Sequence, residues 1–113
     1  MKRGEIWLVN LEPALGAEIK KTRPCVIVND DTIGALPLKV VAPLTDGKDR
    51  YRSVPWMVMV EPDKYNHLAK TSAIDLFQVR CVAEERLIRK LGTVQTGFFE
   101  GIAKALKTVF SLS

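Results

Sequence analysis

The stretch Thr22-Arg23-Pro24-Cys25-Val26-Ile27-Val28-Asn29 sets a cation at the mouth of a short apolar run rich in β-branched residues. Runs of this kind, bounded by polar residues, read as strands. Proline has a locked φ and no N–H, so it suits the first position of a strand and not its middle. It also forces the residue before it into an extended conformation. Arg23 is therefore expected in a defined pose at the rim of a sheet, just ahead of a strand over Pro24–Asn29.

Working outward, Glu5–Leu11 (EIWLVNL) is apolar on both faces, as in a strand covered on two sides. The loop Glu12–Thr22 between the two strands contains Pro13 and Gly16 and closes with Lys20 and Lys21. It is longer than the usual connection of about 2–6 residues, and long loops are where function concentrates. Downstream, Leu38–Pro43 reads as a third strand with Thr45 just past its end, followed by the charged loop Asp46–Arg52. Val54–Val60 makes a fourth strand with Pro55 near its start, and Thr71–Ile74 a brief one. Phe77–Val82 alternates, which sends Phe77, Val79 and Cys81 one way and Gln78 and Arg80 the other. Ala83–Leu91 is expected to form one or two helical turns stopped by Gly92. From Thr96, a plausible N-cap, the period changes: Phe99, Ile102, Ala103, Leu106, Val109 and Phe110 recur at steps suited to an amphipathic helix. Many short strands and one terminal helix imply a mainly β chain, built as a small, strongly curved, barrel-like sheet.

Composition sets the outer limits. At 113 residues and 47% hydrophobic, the chain suits one domain, residues 1–113, with a core that needs neither disulfide nor metal. Seventeen Lys and Arg against 13 Asp and Glu give a net charge of +4, compatible with a polyanionic partner without requiring one. Cys25 and Cys81 lie inside apolar runs without CxxC spacing and read as buried free thiols of a reducing compartment; a single disulfide stays open. The N-terminal segment has no uninterrupted apolar h-region, and no run approaches the ~20 residues of a membrane span. A cytoplasmic location without membrane association is the expectation.

Familiar catalytic constellations are missing. The single histidine, His67, reads as structural, and without a second imidazole a histidine pair cannot form within one chain. No GxSxG elbow, Walker loop or dinucleotide fingerprint occurs, and the scattered acidic residues suit neither zinc nor a two-metal site. The reading therefore calls for no cofactor and no metal. Trp56-Met57-Val58-Met59 reads as core and interface packing. What remains is a polar set at strand ends, Glu18, Arg23, Thr45, Gln78 and Arg80, which matters only if curvature brings those ends together.

Arg3-Gly4-Glu5-Ile6-Trp7-Leu8-Val9, then Pro13, Gly16, Glu18 and Arg23-Pro24, then Ala42-Pro43-Leu44-Thr45, Gln78-Val79-Arg80 and Arg86-Leu87 follow one another in an order that resembles the MazF/PemK (Kid) toxins. The resemblance spans essentially the whole chain and closes in the terminal helix. It implies a small SH3-like, CcdB-like antiparallel β-barrel, a homodimer, and metal-independent, sequence-selective cleavage of single-stranded mRNA under the control of a cognate antitoxin. Products would be a 2′,3′-cyclic phosphate and a 5′-hydroxyl. Carried onto this chain, Arg23 is the phosphate binder and transition-state stabiliser, Thr45 a hydroxyl donor to the scissile phosphate, and Glu18 a base or orienting group.

Gln78 and Arg80 match a Gln-x-Arg strand expected to contact RNA near the site, with an ion pair bracing sheet or dimer as the alternative for Arg80. Lys20, Lys21, Lys48 and Arg50 would draw in the phosphate backbone, or else form an ordinary solvated charge run. The chain departs from the family pattern at Phe77, where an acidic residue is usual, at Ala83, often aspartate, and at Ile19, where Glu-Gln is common. Two rival readings stand beside this one: a CcdB-like toxin that binds a protein such as DNA gyrase, and a plain RNA-binding or structural module. The pairing of Arg23 with Thr45 favours the nuclease, since a protein binder has no need of a phosphate-shaped pair.

Overall fold

The longest strand, β3 (Leu38–Asp46), is the spine of a seven-stranded sheet. The computed structural model describes residues 1–113. Around β3 stand β1 (Glu5–Asn10), β2 (Thr22–Ile27), β4 (Met57–Val60), β5 (Ser72–Asp75), β6 (Arg80–Ala83) and β7 (Leu87–Thr93), and the chain closes in helix α1 (Phe98–Val109). The order is β4-β5-β3-β2-β1-β7, with β6 lying along the first half of β3 and every pair antiparallel. The sheet is strongly bent and remains open, in keeping with the curved β architecture with a terminal helix expected from the strand pattern. No helix is long and apolar enough to cross a membrane.

Alternation along the strands explains the two cores. Ile6, Val26, Ala42, Leu44 and Ile74 point to the face covered by α1, where they meet Ile102 and Ala105. Their neighbours Val9, Cys25, Ile27, Val41 and Val82 point the other way, into a second cluster closed by Leu11 and Leu87. Strands buried on both faces read as near-continuous apolar runs, which is what Glu5–Leu11 and Cys25–Val28 are.

Several local expectations give way to tertiary pairing. The second strand starts at Thr22, so Pro24 is its third residue; the edge facing β3 is unpaired until Cys25, so no ladder bond is asked of residue 24 on that side. β3 runs through Thr45 to Asp46, and Pro43 stands where pairing with β2 ends and pairing with β5 begins. Ala83–Leu91 is not helical. Glu84–Arg86 makes one 3₁₀ turn and Leu87–Thr93 pairs with β1, so a partner strand overrides the helix preference of Glu, Arg, Leu and Lys. Gly92 is needed there for close approach rather than as a helix stop: a Cβ would stand 2.4 Å from the Asn66 carbonyl oxygen.

The alternation proposed for Phe77–Val82 fails as well. Leu76–Gln78 is a 3₁₀ turn, Arg80 and Val82 share the inner face, and Cys81 is exposed instead of buried. The helix begins at Phe98 without a side-chain cap; Thr96 contributes its carbonyl, accepting from the Phe99 N–H at 3.1 Å. The buried face of α1 is Ile102 and Ala105 with Phe98, Phe99 and Leu106 beside them, while Ala103 and Phe110 face out. Gly4, at φ 89°, lies under this helix, and a Cβ there would meet the Phe99 ring at 2.6 Å.

One irregularity shapes the molecule's chemistry. Leu44 faces Ile74 and Val41 faces Arg80, so three steps of β3 are spanned by six of its partner. β5 and β6 are thus one strand interrupted by a three-residue insertion, Leu76–Gln78. The insertion is pinned by Asp75, a buried residue whose Oδ1 accepts from the Phe77 N–H at 3.1 Å.

Candidate active site

The inner face of β3 carries Lys39, Val41, Pro43 and Thr45, because side chains two apart share a face. One end is sealed. Lys39 is nearly buried and its Nζ sits 2.9 Å from Glu84. The other end is polar and open. Cys25 faces Pro43 in the last pair of the β2–β3 ladder, and Arg23 and Thr45 each stand two residues beyond that pair. Both project on the face shared by Cys25 and Pro43. Arg23 is exposed; its Nε donates to the Lys20 carbonyl at 3.3 Å, and its two terminal nitrogens make no hydrogen bond within the chain. Thr45 is half-buried with its hydroxyl likewise unengaged. Asp46, beyond Thr45, has its pKa lowered, chiefly by Lys70 and to a lesser extent by Lys48 and Arg23. The polar end of this face therefore already has one ionised carboxylate close by.

The long first loop folds over the same face, held from below by two side chains of the insertion and of β6. Gln78 accepts from the Ile19 N–H at 2.6 Å through Oε1 and donates to the Ala17 carbonyl at 3.4 Å through Nε2. Arg80 donates to the Leu11 carbonyl at 3.2 Å. Arg86 donates to the carbonyls of Asn10 and Glu12 at the loop's root. Gln78 and Arg80 thus brace the loop that carries Glu18. The exposed Glu18 carboxylate accepts from the Leu15 N–H at 2.6 Å through Oε1, which fixes its pose.

Between the loop and the insertion lies a groove of about 460 Å³, with Glu18 and Ile19 on one side, Phe77 and Gln78 on the other, and Pro43 and Arg80 among its lining. A second groove, about 450 Å³, runs along Ile33, Leu36 and Leu38 to Cys81; it is chiefly apolar and its one cation, Lys39, is paired to Glu84.

The other cations differ in their freedom. Lys20, Lys21, Lys48 and Arg50 are exposed, with the Arg50 guanidinium 5.3 Å above the Tyr51 ring. Arg52 is engaged by Asp49 and Glu61, each at 3.5 Å. Cys25 offers no nucleophile: burial pushes its thiol up to about 12, against the pull of Arg80. His67 is exposed on the 61–68 loop with φ 54°. No cluster of three His, Cys, Asp or Glu side chains exists.

Reading from sequence missed Asp75, Phe77 and Pro43 as parts of this site. Phe77 looked like one tooth of an alternating strand, and the only signal against it was Asp75, a buried acid closing an apolar strand as Asx caps do.

A model of the PemK-like, MazF-like toxin of type II toxin–antitoxin systems matches residues 2–110. The chain belongs to this family. It is 38% identical over 92 residues to Endoribonuclease MazF of Staphylococcus epidermidis, covering 80% of this chain and 75% of that one. It is 32% identical over 113 residues to Endoribonuclease MazF9 of Mycobacterium tuberculosis, covering 95% and 93%. A solved mycobacterial endoribonuclease, in complex with its cognate antitoxin, has the same fold at a TM-score of 0.80 and 21% identity, covering 100% of this chain and 97% of that one.

Proposed function

We propose that this toxin-family chain is a metal-independent, sequence-selective endoribonuclease acting on single-stranded mRNA. The observation that carries the reading is that Arg23 and Thr45 each stand two residues beyond the Cys25–Pro43 pair on the face that pair shares, with the terminal guanidinium nitrogens bound to no protein acceptor. Attack of a ribose 2′-oxygen on the adjacent phosphorus needs a proton acceptor, stabilisation of a more negative phosphorane and a proton for the departing 5′-oxygen. The Arg23 guanidinium is permanently cationic, and its free fork matches two phosphate oxygens. Thr45 donates to the same phosphate. Glu18, posed by Leu15, takes the 2′-hydroxyl proton or orients that hydroxyl. The new P–O2′ bond closes the cyclic phosphate as the P–O5′ bond breaks, and the departing oxygen takes up a proton from solvent water as the 5′-hydroxyl.

Gln78 and Arg80 serve by holding the loop at the height the groove requires, and Arg80 also places positive charge beneath the bound strand. Lys20, Lys21, Lys48 and Arg50 draw in the backbone without reading sequence. The protein works in the cytoplasm as a homodimer, and a cognate antitoxin with an acidic segment covers the basic groove. Support for the partner comes from family membership and from the solved mycobacterial complex.

The test is direct. Purified wild-type protein incubated with a long single-stranded RNA in EDTA should cut at a limited set of sites, leaving cyclic-phosphate and 5′-hydroxyl ends. Arg23→Ala should leave the RNA whole. Intact RNA with folded, antitoxin-free wild type would sink the reading in favour of a toxin aimed at a protein.

A further inference from the structure

Phe77 is two-thirds exposed, at 66%, while Pro43 in the same groove is buried and Ile19 and Val79 are half-buried. A large aromatic ring left in water at a groove wall calls for a reason. The ring is not loosely placed. Its backbone belongs to the three-residue insertion, anchored by the bond from its own N–H to the Asp75 carboxylate at 3.1 Å. The ring itself packs edge-on against Trp56, centroids 5.7 Å apart and planes at 62°. Its neighbour Gln78 is fixed to the facing loop. Other exposed aromatics are placed otherwise: Tyr65 has Lys64 over its ring, and Phe110 lies at the end of α1. Only Phe77 joins rigidity, exposure and a position in the groove wall.

We propose that Phe77 is a base-stacking residue that determines which nucleotide is accepted beside the scissile phosphate. This rests on the nuclease reading above and adds the surface that holds the base. Single-stranded nucleic acids are bound by a cationic track for the backbone and aromatic faces for the bases. Arg23 and Thr45 supply the first, and Pro43, in the groove lining, lies two residues from Thr45 on the same face, about 6.6 Å along the strand. A base next to the clamped phosphate therefore has the Phe77 wall within reach. Because the ring is already held by Trp56 and the backbone by Asp75, little side-chain freedom is lost when a base settles on it.

The experiment begins by mapping a cut site with wild-type protein on long RNA. An oligonucleotide of that site, 2′-O-methylated throughout so that it binds without being cut, is then titrated by fluorescence anisotropy. Single abasic replacements are stepped along it. Wild type should lose about 5- to 150-fold in affinity at one position flanking the cut. Phe77→Ala should bind the intact oligonucleotide correspondingly more weakly and be indifferent to the base at that position alone, a coupling that a general loss of fold does not produce. Phe77→Tyr should restore the dependence.

Phe77→Leu keeps an apolar group without a π face; wild-type behaviour from it would reduce the contact to packing and overturn stacking. Unchanged affinity and an unchanged cut profile in Phe77→Ala would overturn the proposal while leaving the nuclease intact. Loss of antitoxin binding with RNA binding unaltered would assign the ring to a protein partner and overturn it equally. Wild type that neither cuts nor binds RNA would instead remove the nuclease reading, and this proposal with it.

Discussion

The two faces of the sheet are made from the same strands and end differently. On the face under α1, the apolar residues continue without a break from Ile6 and Val26 through Ala42 and Leu44 to Ile102 and Ala105. On the opposite face the same alternation gives Cys25, Ile27, Val41 and Val82, and then the chemistry changes within two residues: Cys25 to Arg23, Pro43 to Thr45, Val82 to Arg80. Cohesion and chemistry are thus carried by alternate positions of shared strands. The first face needs only apolar volume. The second is closed at one end by Lys39 and Glu84, and leaves the charge at its other end unpaired.

That division can be broken in either direction. Arg23→Ala should lower the cleavage rate by about 10²–10³-fold, the scale seen when one donor to a developing charge is removed. Its melting temperature should stay at the wild-type value, because the side chain is exposed and makes only one long hydrogen bond. Ile102→Ala should do the converse: a loss of about 3 kcal/mol in chemical denaturation, with the cleavage rate of the remaining folded fraction unchanged.

Gln78→Ala tests the brace that holds the first loop. Losing the acceptor of the Ile19 N–H should cost about 1 kcal/mol locally, read as faster amide hydrogen exchange at Ile19 while core strands stay protected. A pH series separates Asp75 from the other carboxylates. Burial pushes its carboxyl above the ordinary 3.8, opposed by hydrogen bonds from Phe77 and Gln78. The folded state therefore holds that proton more tightly than the unfolded chain, and the associated stability is fully present below 3.8 and lost as pH rises through the folded value. Asp75→Asn keeps an acceptor and never ionises, so its melting temperature relative to wild type should rise from acid to neutral pH. A constant difference would mean that Asp75 is not strained by its burial. The smallest effect expected is on salt: Lys20→Ala should flatten the logarithmic salt dependence of RNA binding by about 0.7, one phosphate's worth on a single strand.

Much of this was legible in the sequence, and for a physical reason. Double-sided burial leaves continuous apolar runs, so β1 and the core of β2 could be read residue by residue, and the helical period after Thr96 stood out against them. Arg23 and Thr45 could be singled out, but their place on one face just beyond the Cys25–Pro43 pair could not, because it follows from register between strands separated by the turn at Asp30–Pro37. Leu87–Thr93 was misread because its residues favour a helix and only pairing with β1 makes them a strand. Gln78 and Arg80 stood out as polar groups, while their bonds to Ile19 and Leu11 span 59 and 69 residues, a distance no local pattern encodes.

The insertion at Leu76–Gln78 has an engineering consequence. Its flanks, β5 and β6, are each registered on β3 independently, so the ladder carries no memory of what fills the gap. Leu76 is buried in the core and Gln78 holds the first loop, so position 77 is the exchangeable one: it can be recast while Arg23, Thr45 and Arg80 keep their places on the frame. A library confined to that position would retool the groove without redesigning the fold.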